Sequence, residues 1–341
     1  MPLMTDKERP AMAANETIGT AYGSPPPRQA LRWLTARLEV RMLLLAILIA
    51  VTLSLASPYF LTTINVLNLL DQSVVVGIVA IGMTFVILTG GIDLSVGAVA
   101  GLTGIIFGLV VPDLGLPVGA LVAIVAGGLI GLVSGVLISY FGLAAFVVTL
   151  GMMSIGRSLC YIFSGGISIS NIPEALSDFV YTKVAFIPMN VFVLLVLYLL
   201  AYLYLGYTKG GRTIYAIGSN AEAARTAGLN VVGYAILPYV VSGALSAVSA
   251  LLLAGKILSV DPLAGNLLEL DAIAAVVIGG ASLFGGRGSI IGTLIGVFIM
   301  VMIRNGLNLM GVSPFWQGSA IGAIIIAAVL VERLVSRRGA R

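Results

Sequence analysis

The 341-residue chain contains no histidine, a single cysteine, and few charges: only 9% of its residues are Asp, Glu, Lys or Arg. Without histidine there can be no His-dependent triad, no His metal site and no His proton relay. Cys160 stands alone, so no intrachain disulfide can form, and the folding compartment is not revealed by cysteine usage. A soluble domain carries roughly a quarter charged residues. At 9% the chain cannot cover a water-facing surface. No GxxxxGK[ST] sequence occurs, and the nearest glycine-rich stretch, Gly285 to Ser289, lacks the lysine that reaches the phosphates. The chain therefore does not hydrolyse ATP by itself. It offers no nucleophile with a base, no metal cluster and no carboxylate pair at glycosidase spacing, so an intramembrane enzyme is the least supported reading, with no catalytic and no metal-binding residues assigned.

What the chain does have is apolar length. Hydrophobic residues make up 59% of it, and stretches close to the about 20 residues of a membrane crossing recur from Arg41 onward. The expected fold is all-α, a polytopic transmembrane helical bundle of about ten spans, some broken or re-entrant. We place the spans at 42–57, 73–90, 95–111, 117–138, 143–163, 190–207, 234–256, 271–284, 289–309 and 318–332. Arg28, Arg32, Arg37 and Arg41 precede the first span, which puts the N-terminus in the cytoplasm. An even number of crossings then returns Lys209, Arg212, Arg225 and the basic tail 334–341 to the same side, and sends Glu174, Asp178, Asp261 and Glu269 outside.

The first 40 residues read as a disordered cytoplasmic tail, with Pro25, Pro26 and Pro27 and little apolar material. An apolar segment that begins only after such a tail reads as an uncleaved anchor. The net charge of +4 is gathered in these topogenic segments, not in the stripe that nucleic acid would need. The 271–284 span is short and glycine-rich, which predicts a broken or re-entrant element shielded by protein. The stretch 58–72, with Asn65, Asn68 and Asp71, is expected at the outer interface or dipping partly into the protein.

Several polar features stand out against this background. Gly90 to Gly97 and Gly285 to Gly292 share a GG-x5-G frame between apolar segments, equally compatible with a repeat and with chance. In the inner loop, Ser219 and Glu222 form S-x-x-E, the capping-box pattern, followed by Ala223 and Ala224, by Arg225 toward the C-terminal end and by Gly228 as a left-handed stop. That predicts a helix of about two turns, too short to hold alone in water. It rests on its own bundle or enters a groove on another protein, with even weight. Asp93, between Gly90, Gly91 and Ser95, reads first as a cap for the following helix and second as an essential charge. Arg157 sits among apolar residues and needs an acid, carbonyls or water, whether it snorkels or lines a pathway. Asn305 and Asn308, three apart beside Arg304, share a helix face and suit interhelical hydrogen bonds. Lys256, Asp261, Glu269 and Asp271 cluster near the outer end of a span, as salt pairs or as a docking surface.

The loop TKGGRTIYAIGSNAEAARTAGLNV from Thr208, GGIDLSVGAVAGLTG from Gly90, TLGMMSIGRSLCYIFSGG from Thr149, ELDAIAAVVIGGASLFGGRGSIIGTLIGV from Glu269 and NGLNLMGV from Asn305 together resemble ABC sugar importer permeases of the ribose, xylose and autoinducer-2 type. The matches span nearly everything from about Phe60 to Val331. The resemblance implies a transmembrane permease domain over 41–333 in a bacterial inner membrane, with a cytoplasmic coupling loop at 208–232. It further implies a separate ATPase that carries ATP and Mg, with no cofactor on this chain, a periplasmic substrate-binding protein, and a second permease subunit, commonly identical. Ser219, Glu222, Ala223, Ala224, Arg225 and Gly228 become candidate ATPase contacts. Gly90, Gly91, Asp93, Ser95, Gly97, Arg157, Asn305 and Asn308 become hinge or pathway candidates, and Asp261, Glu269 and Asp271 become candidates for binding-protein docking. A self-sufficient secondary transporter or channel is the alternative, since broken spans and intramembrane charge occur there too.

Overall fold

The structure is a computed structural model that describes residues 38–184, 186–313, 316–324, 326–327 and 330. Residues 1–37 of the expected disordered tail and all of the basic tail 334–341 lie outside the described residues, while residues 38–40 already belong to a helix. The elements run α1 (Leu38–Ala56), α2 (Thr63–Leu88), α3 (Val96–Ser139), α4 (Ala145–Ser164), α5 (Glu174–Tyr181), a small hairpin of β1 (Lys183–Val184) and β2 (Ile187–Pro188), then α6 (Met189–Tyr207), α7 (Lys209–Ser219), α8 (Ala221–Thr226), α9 (Val231–Ile257), α10 (Leu268–Ile278) and α11 (Ile290–Leu309). Helical backbone follows again at 316–324.

Seven of these helices, α1, α2, α3, α4, α6, α9 and α11, are long and apolar enough to cross a membrane. The expected count of about ten is therefore not confirmed, for three physical reasons. First, α3 is one continuous assignment of 44 residues. At 1.5 Å per residue it would be roughly 66 Å long, twice the hydrocarbon core. It instead reverses at Gly115, which has φ 77° and lies between Pro112 and Pro117. A side chain placed at Gly119 would meet Phe107 at 3.4 Å, whereas those positions stand roughly 18 Å apart in a straight helix. The two stretches expected at 95–111 and 117–138 are thus the arms of a helical hairpin. Second, α10 has only 11 residues and ends in glycines, the broken element anticipated at 271–284. Third, the segment expected at 318–332 is only partly described.

The expected span 73–90 needs correction at its start: residues 63–72 of the stretch 58–72 are the first turns of α2, which starts ten residues before 73, and with Asn65 and Leu69 buried this stretch dips partly into the protein. Thr62 caps α2, its hydroxyl accepting from the Asn65 amide at 3.4 Å. A helix that is apolar all round belongs in the interior, and α2 is the centre of this bundle: every residue from Gly77 to Leu88 is buried, with α6, α9, α10 and α11 packed around the helix. α9 lies between α2 and the α3 hairpin. Gly127 and Gly131 of α3 stand directly on the backbone of Gly243 and Tyr239 of α9, the small-residue contact that lets membrane helices approach closely. The outward faces of α1, α4 and α6 remain apolar and exposed, with Leu48, Ile162 and Leu200 among them.

Candidate coupling site

The inner loop folds into two short helices. Thr208 opens α7, its Oγ1 accepting from the Gly211 amide at 3.0 Å, and the Ile214 and Ile217 side chains pin the helix to the bundle. Tyr215 is raised in pKa by burial and, to a lesser degree, by Glu39, so its hydroxyl stays protonated and donates to the Gly288 carbonyl at 3.0 Å. The capping box predicted from Ser219 and Glu222 does not form. Ser219 is the last residue of α7, and Asn220 caps α8 instead, its Oδ1 accepting from Ala223 N at 2.9 Å. An amide side chain one residue closer reaches the third amide of the new helix without distorting α7, so it wins the cap.

The predicted stop is present. Gly228 has φ 78°, its amide donates to the Arg225 carbonyl at 3.0 Å, and Leu229 N reaches the Ala224 carbonyl at 3.1 Å, which together make a Schellman ending. Within α8 only Ala224 is buried, while Glu222, Ala223 and Arg225 are open. Glu222 and Arg225 approach to 3.7 Å with side chains 75% and 66% exposed, a pairing too solvated to fix the helix by itself. Of the two placements open from sequence, the isolated chain leaves this helix almost uncovered.

The junction behind α8 joins elements distant in sequence. Gly218, one residue from the end of α7, stands against the Leu88 carbonyl at the end of α2 and against the Gly286 amide. Gly286 N donates to that same Leu88 carbonyl at 2.9 Å. Gly90 and Gly285, the paired positions of the GG-x5-G frame, lie against each other, with positive φ values of 83° and 85°. The structure thus brings the two similar segments into direct contact at the break between α2 and α3 and the break between α10 and α11.

Asp93 lies in the first of these breaks, 3% exposed, and gathers three hydrogen bonds. Its Oδ1 accepts from Ser95 N at 3.0 Å and from Ser95 Oγ at 2.6 Å, and its Oδ2 accepts from Ser242 Oγ of α9 at 2.8 Å. The capping expectation is met in part. Ser95 occupies the cap position and makes no side-chain cap bond, while Asp93 ties the entry of α3 to α9 from two residues upstream. Gly91 packs on the Tyr239 hydroxyl, and Gly97 packs on the Gly265 carbonyl. Ser242 lies about 16 Å along α9 from Val231, so the Asp93 loop reaches well into the bundle.

The other candidates lie toward the opposite end. Arg157 takes the carbonyl option: its Nη1 donates to Pro262 O at 2.8 Å and Ala264 O at 3.0 Å, fastening the 258–267 loop to α4. Asn305 and Asn65 exchange amide bonds at 2.8 and 3.0 Å, and Asn308 accepts from Gln317 at 2.6 Å, so both join helices. The three acidic docking candidates do not form one surface. Asp271 is paired with Arg304 at 2.5 Å, and Glu269 and Asp271 are both buried; Asp261 alone is partly open. Ser168 donates to Asp261 at 2.6 Å, and that bond, with the Leu263 amide, holds the Asp261 carboxyl below the usual carboxylate range. Lys256 meets not these acids but Asp71, a pairing across 185 positions that no local pattern signals.

The chain is similar to known permeases along most of its length. The family model described as branched-chain amino acid transport system / permease component matches residues 65–329. The ribose import permease protein RbsC of Escherichia coli K12 is 40% identical over 308 residues, covering 88% of this chain and 94% of that protein. The ribose permease of Bacillus subtilis is 39% identical over 84% of this chain and 90% of its own length. The D-allose transport system permease protein AlsC of Escherichia coli K12 is 34% identical over 86% and 91%. No solved structure matches. Apolar spanning helices, an uncovered loop helix tied to two broken elements, and similarity along most of the chain converge on one placement: this chain is a multi-pass membrane protein of the ABC permease family that includes the ribose and allose permeases.

Proposed function

We infer that this chain forms the transmembrane path of an ATP-driven importer for a monosaccharide or a related polyol, moving it from a periplasmic binding protein to the cytoplasm. The observation that carries this reading is the uncovered helix α8 joined through Gly218 to the Leu88 carbonyl and the Gly286 loop. A push on α8 from a cytoplasmic ATPase is passed by α7 to the end of α2 and to the loop between α10 and α11 at once, and the glycine breaks give both room to move. ATP and Mg reside on the ATPase, and a second copy of the chain completes the path. Specificity rests mainly with the binding protein, because a path must release sugar, not hold it tightly. The named sugars of the relatives, ribose, allose and fructose, define the class to be tried.

The test is reconstitution of the chain in vesicles with and without its ATPase and binding protein, following uptake of each sugar. Uptake is expected only with all components and ATP. Uptake by the chain alone under an ion gradient would establish the secondary-transporter alternative instead.

A further inference from the structure

At the end of the bundle away from α8 lies a second polar constellation. Lys256, in the last turn of α9, is ion-paired with Asp71 in α2, and Asp71 also accepts from Asn190 Nδ2 of α6 at 2.6 Å. Arg304 of α11 is paired with Asp271 in the first turn of α10 at 2.5 Å. Both pairs line the same cavity of about 200 Å³, together with Gln72 and apolar side chains such as Val75 and Met300. From Val231 to Lys256, α9 runs roughly 38 Å, so the cavity and the coupling helix stand at opposite ends of one rod.

Ionisable groups among membrane-spanning helices are costly, and they face a partner or a water-filled route. These do both. The side chains of Lys256 and Arg304 keep 31% and 37% of their surface open. An ammonium has three N–H donors and a guanidinium five, yet among the described residues each cation spends a side-chain hydrogen bond only on its own carboxylate. Gln72 makes no side-chain hydrogen bond to any described residue, although its amide lines the cavity. Unused donors therefore accompany two carboxylates around one space.

Charge and volume select the ligand. Two cations and two anions sum to zero, so an ionic guest would meet a like charge for every opposite one. Hydroxyl groups both donate and accept, and they suit such an alternating wall. A volume of about 200 Å³ falls below the ~300–1,000 Å³ of pockets for drug-sized ligands, which admits one small molecule and not an oligosaccharide. The apolar side chains give the C–H faces of a sugar ring somewhere to lie.

We propose that this cavity is a transient subsite for one neutral monosaccharide or polyol on its way through the bundle, with Lys256, Arg304 and Gln72 donating to hydroxyl oxygens and Asp71 and Asp271 accepting from hydroxyl groups. It rests on the sugar-import reading above and names where within the path the sugar pauses.

The complete importer, assembled with its ATPase and binding protein in vesicles, carries Gln72→Cys, and its thiol is labelled by a small water-soluble methanethiosulfonate. The buried native Cys160 supplies the background. Ribose, allose and fructose are the probes. A transported sugar slows labelling in a saturable way, about tenfold at tenfold the concentration that halves the labelling rate, a concentration set by the cavity and not by the binding protein. With the thiol moved to Leu253→Cys, Gln72→Leu changes the ratio among the three sugars of the concentrations that halve labelling, which a merely structural role would leave alone. Leu253→Cys, on another wall of the same cavity, repeats the labelling test if the first variant assembles poorly. Unchanged labelling in vesicles that import the sugar would overturn the subsite and leave the import function standing. A thiol that never reacts would overturn it as well, because reagent and sugar need the same aqueous access. Wild-type vesicles that import no neutral sugar would remove both readings together.

Discussion

At the residue scale, Asp93 concentrates several functions of side-chain chemistry in one place. Its carboxylate fixes the entry to α3 through Ser95 and links it to α9 through Ser242, all away from water. A buried donor left without an acceptor costs about 1–3 kcal/mol. Asp93→Ala is therefore expected to destabilise the chain by at least that much in thermal unfolding in detergent. Asp93→Asn, which keeps a carbonyl for the Ser95 amide, is expected to lose less. Equal losses would show that charge, not acceptor geometry, holds the loop. Asp261 behaves differently because Ser168 and the Leu263 amide stabilise its ionised form. Its folded-state pKa is lowered, so the stability it contributes is present above the ordinary carboxylate range and is lost as pH falls through the lowered value. The neighbouring bridge between Ile169 and Val260 should show hydrogen exchange that stays flat, after correction for intrinsic rates, from neutral pH down to that range and rises only below it. Asp261→Asn should abolish the low-pH rise.

At the scale of elements, the contact of α3 with α9 decides how tightly the hairpin closes on the bundle. A side chain at Gly131 would overlap the Tyr239 carbonyl, which is backbone and cannot rotate aside. Gly131→Leu should force the helices apart, costing about 1–3 kcal/mol or more, seen as a lower unfolding temperature in detergent. Gly151 of α4 has open space where its side chain would be. Gly151→Ala should leave stability unchanged or raise it by up to about 1 kcal/mol through helix propensity. If both substitutions behaved alike, close backbone approach would not be what the glycines of α3 provide.

For the whole molecule, the distribution of exposure separates two kinds of surface. The flanks of α1, α4 and α6 present apolar side chains, as lipid or a second membrane chain requires. At one end α8 presents Glu222 and Arg225 to water on a helix of six residues that does not support itself. Glu222→Lys removes a solvated pair worth about 0–1 kcal/mol, so insertion and folding should survive. If α8 is where the ATPase docks, the same substitution should abolish co-purification of the ATPase and ATP-driven uptake. Wild-type uptake by that variant would sink the docking role.

Much of this was readable in advance because a lipid environment leaves few options. Long apolar runs and scarce charge determined a predominantly helical membrane chain, and Gly228 marked the end of α8 because only a residue without Cβ takes that conformation cheaply. The reversal inside α3 was legible as the gap between the stretches 95–111 and 117–138, whereas the early start of α2 and the capture of the α8 cap by Asn220 were not, since each depends on which neighbour fills the space beside the chain. The same holds for the contact of Gly90 with Gly285 and for the pairing of Lys256 with Asp71. A sequence states which groups must find partners in a medium that offers no water; only packing in three dimensions decides which partner each one reaches.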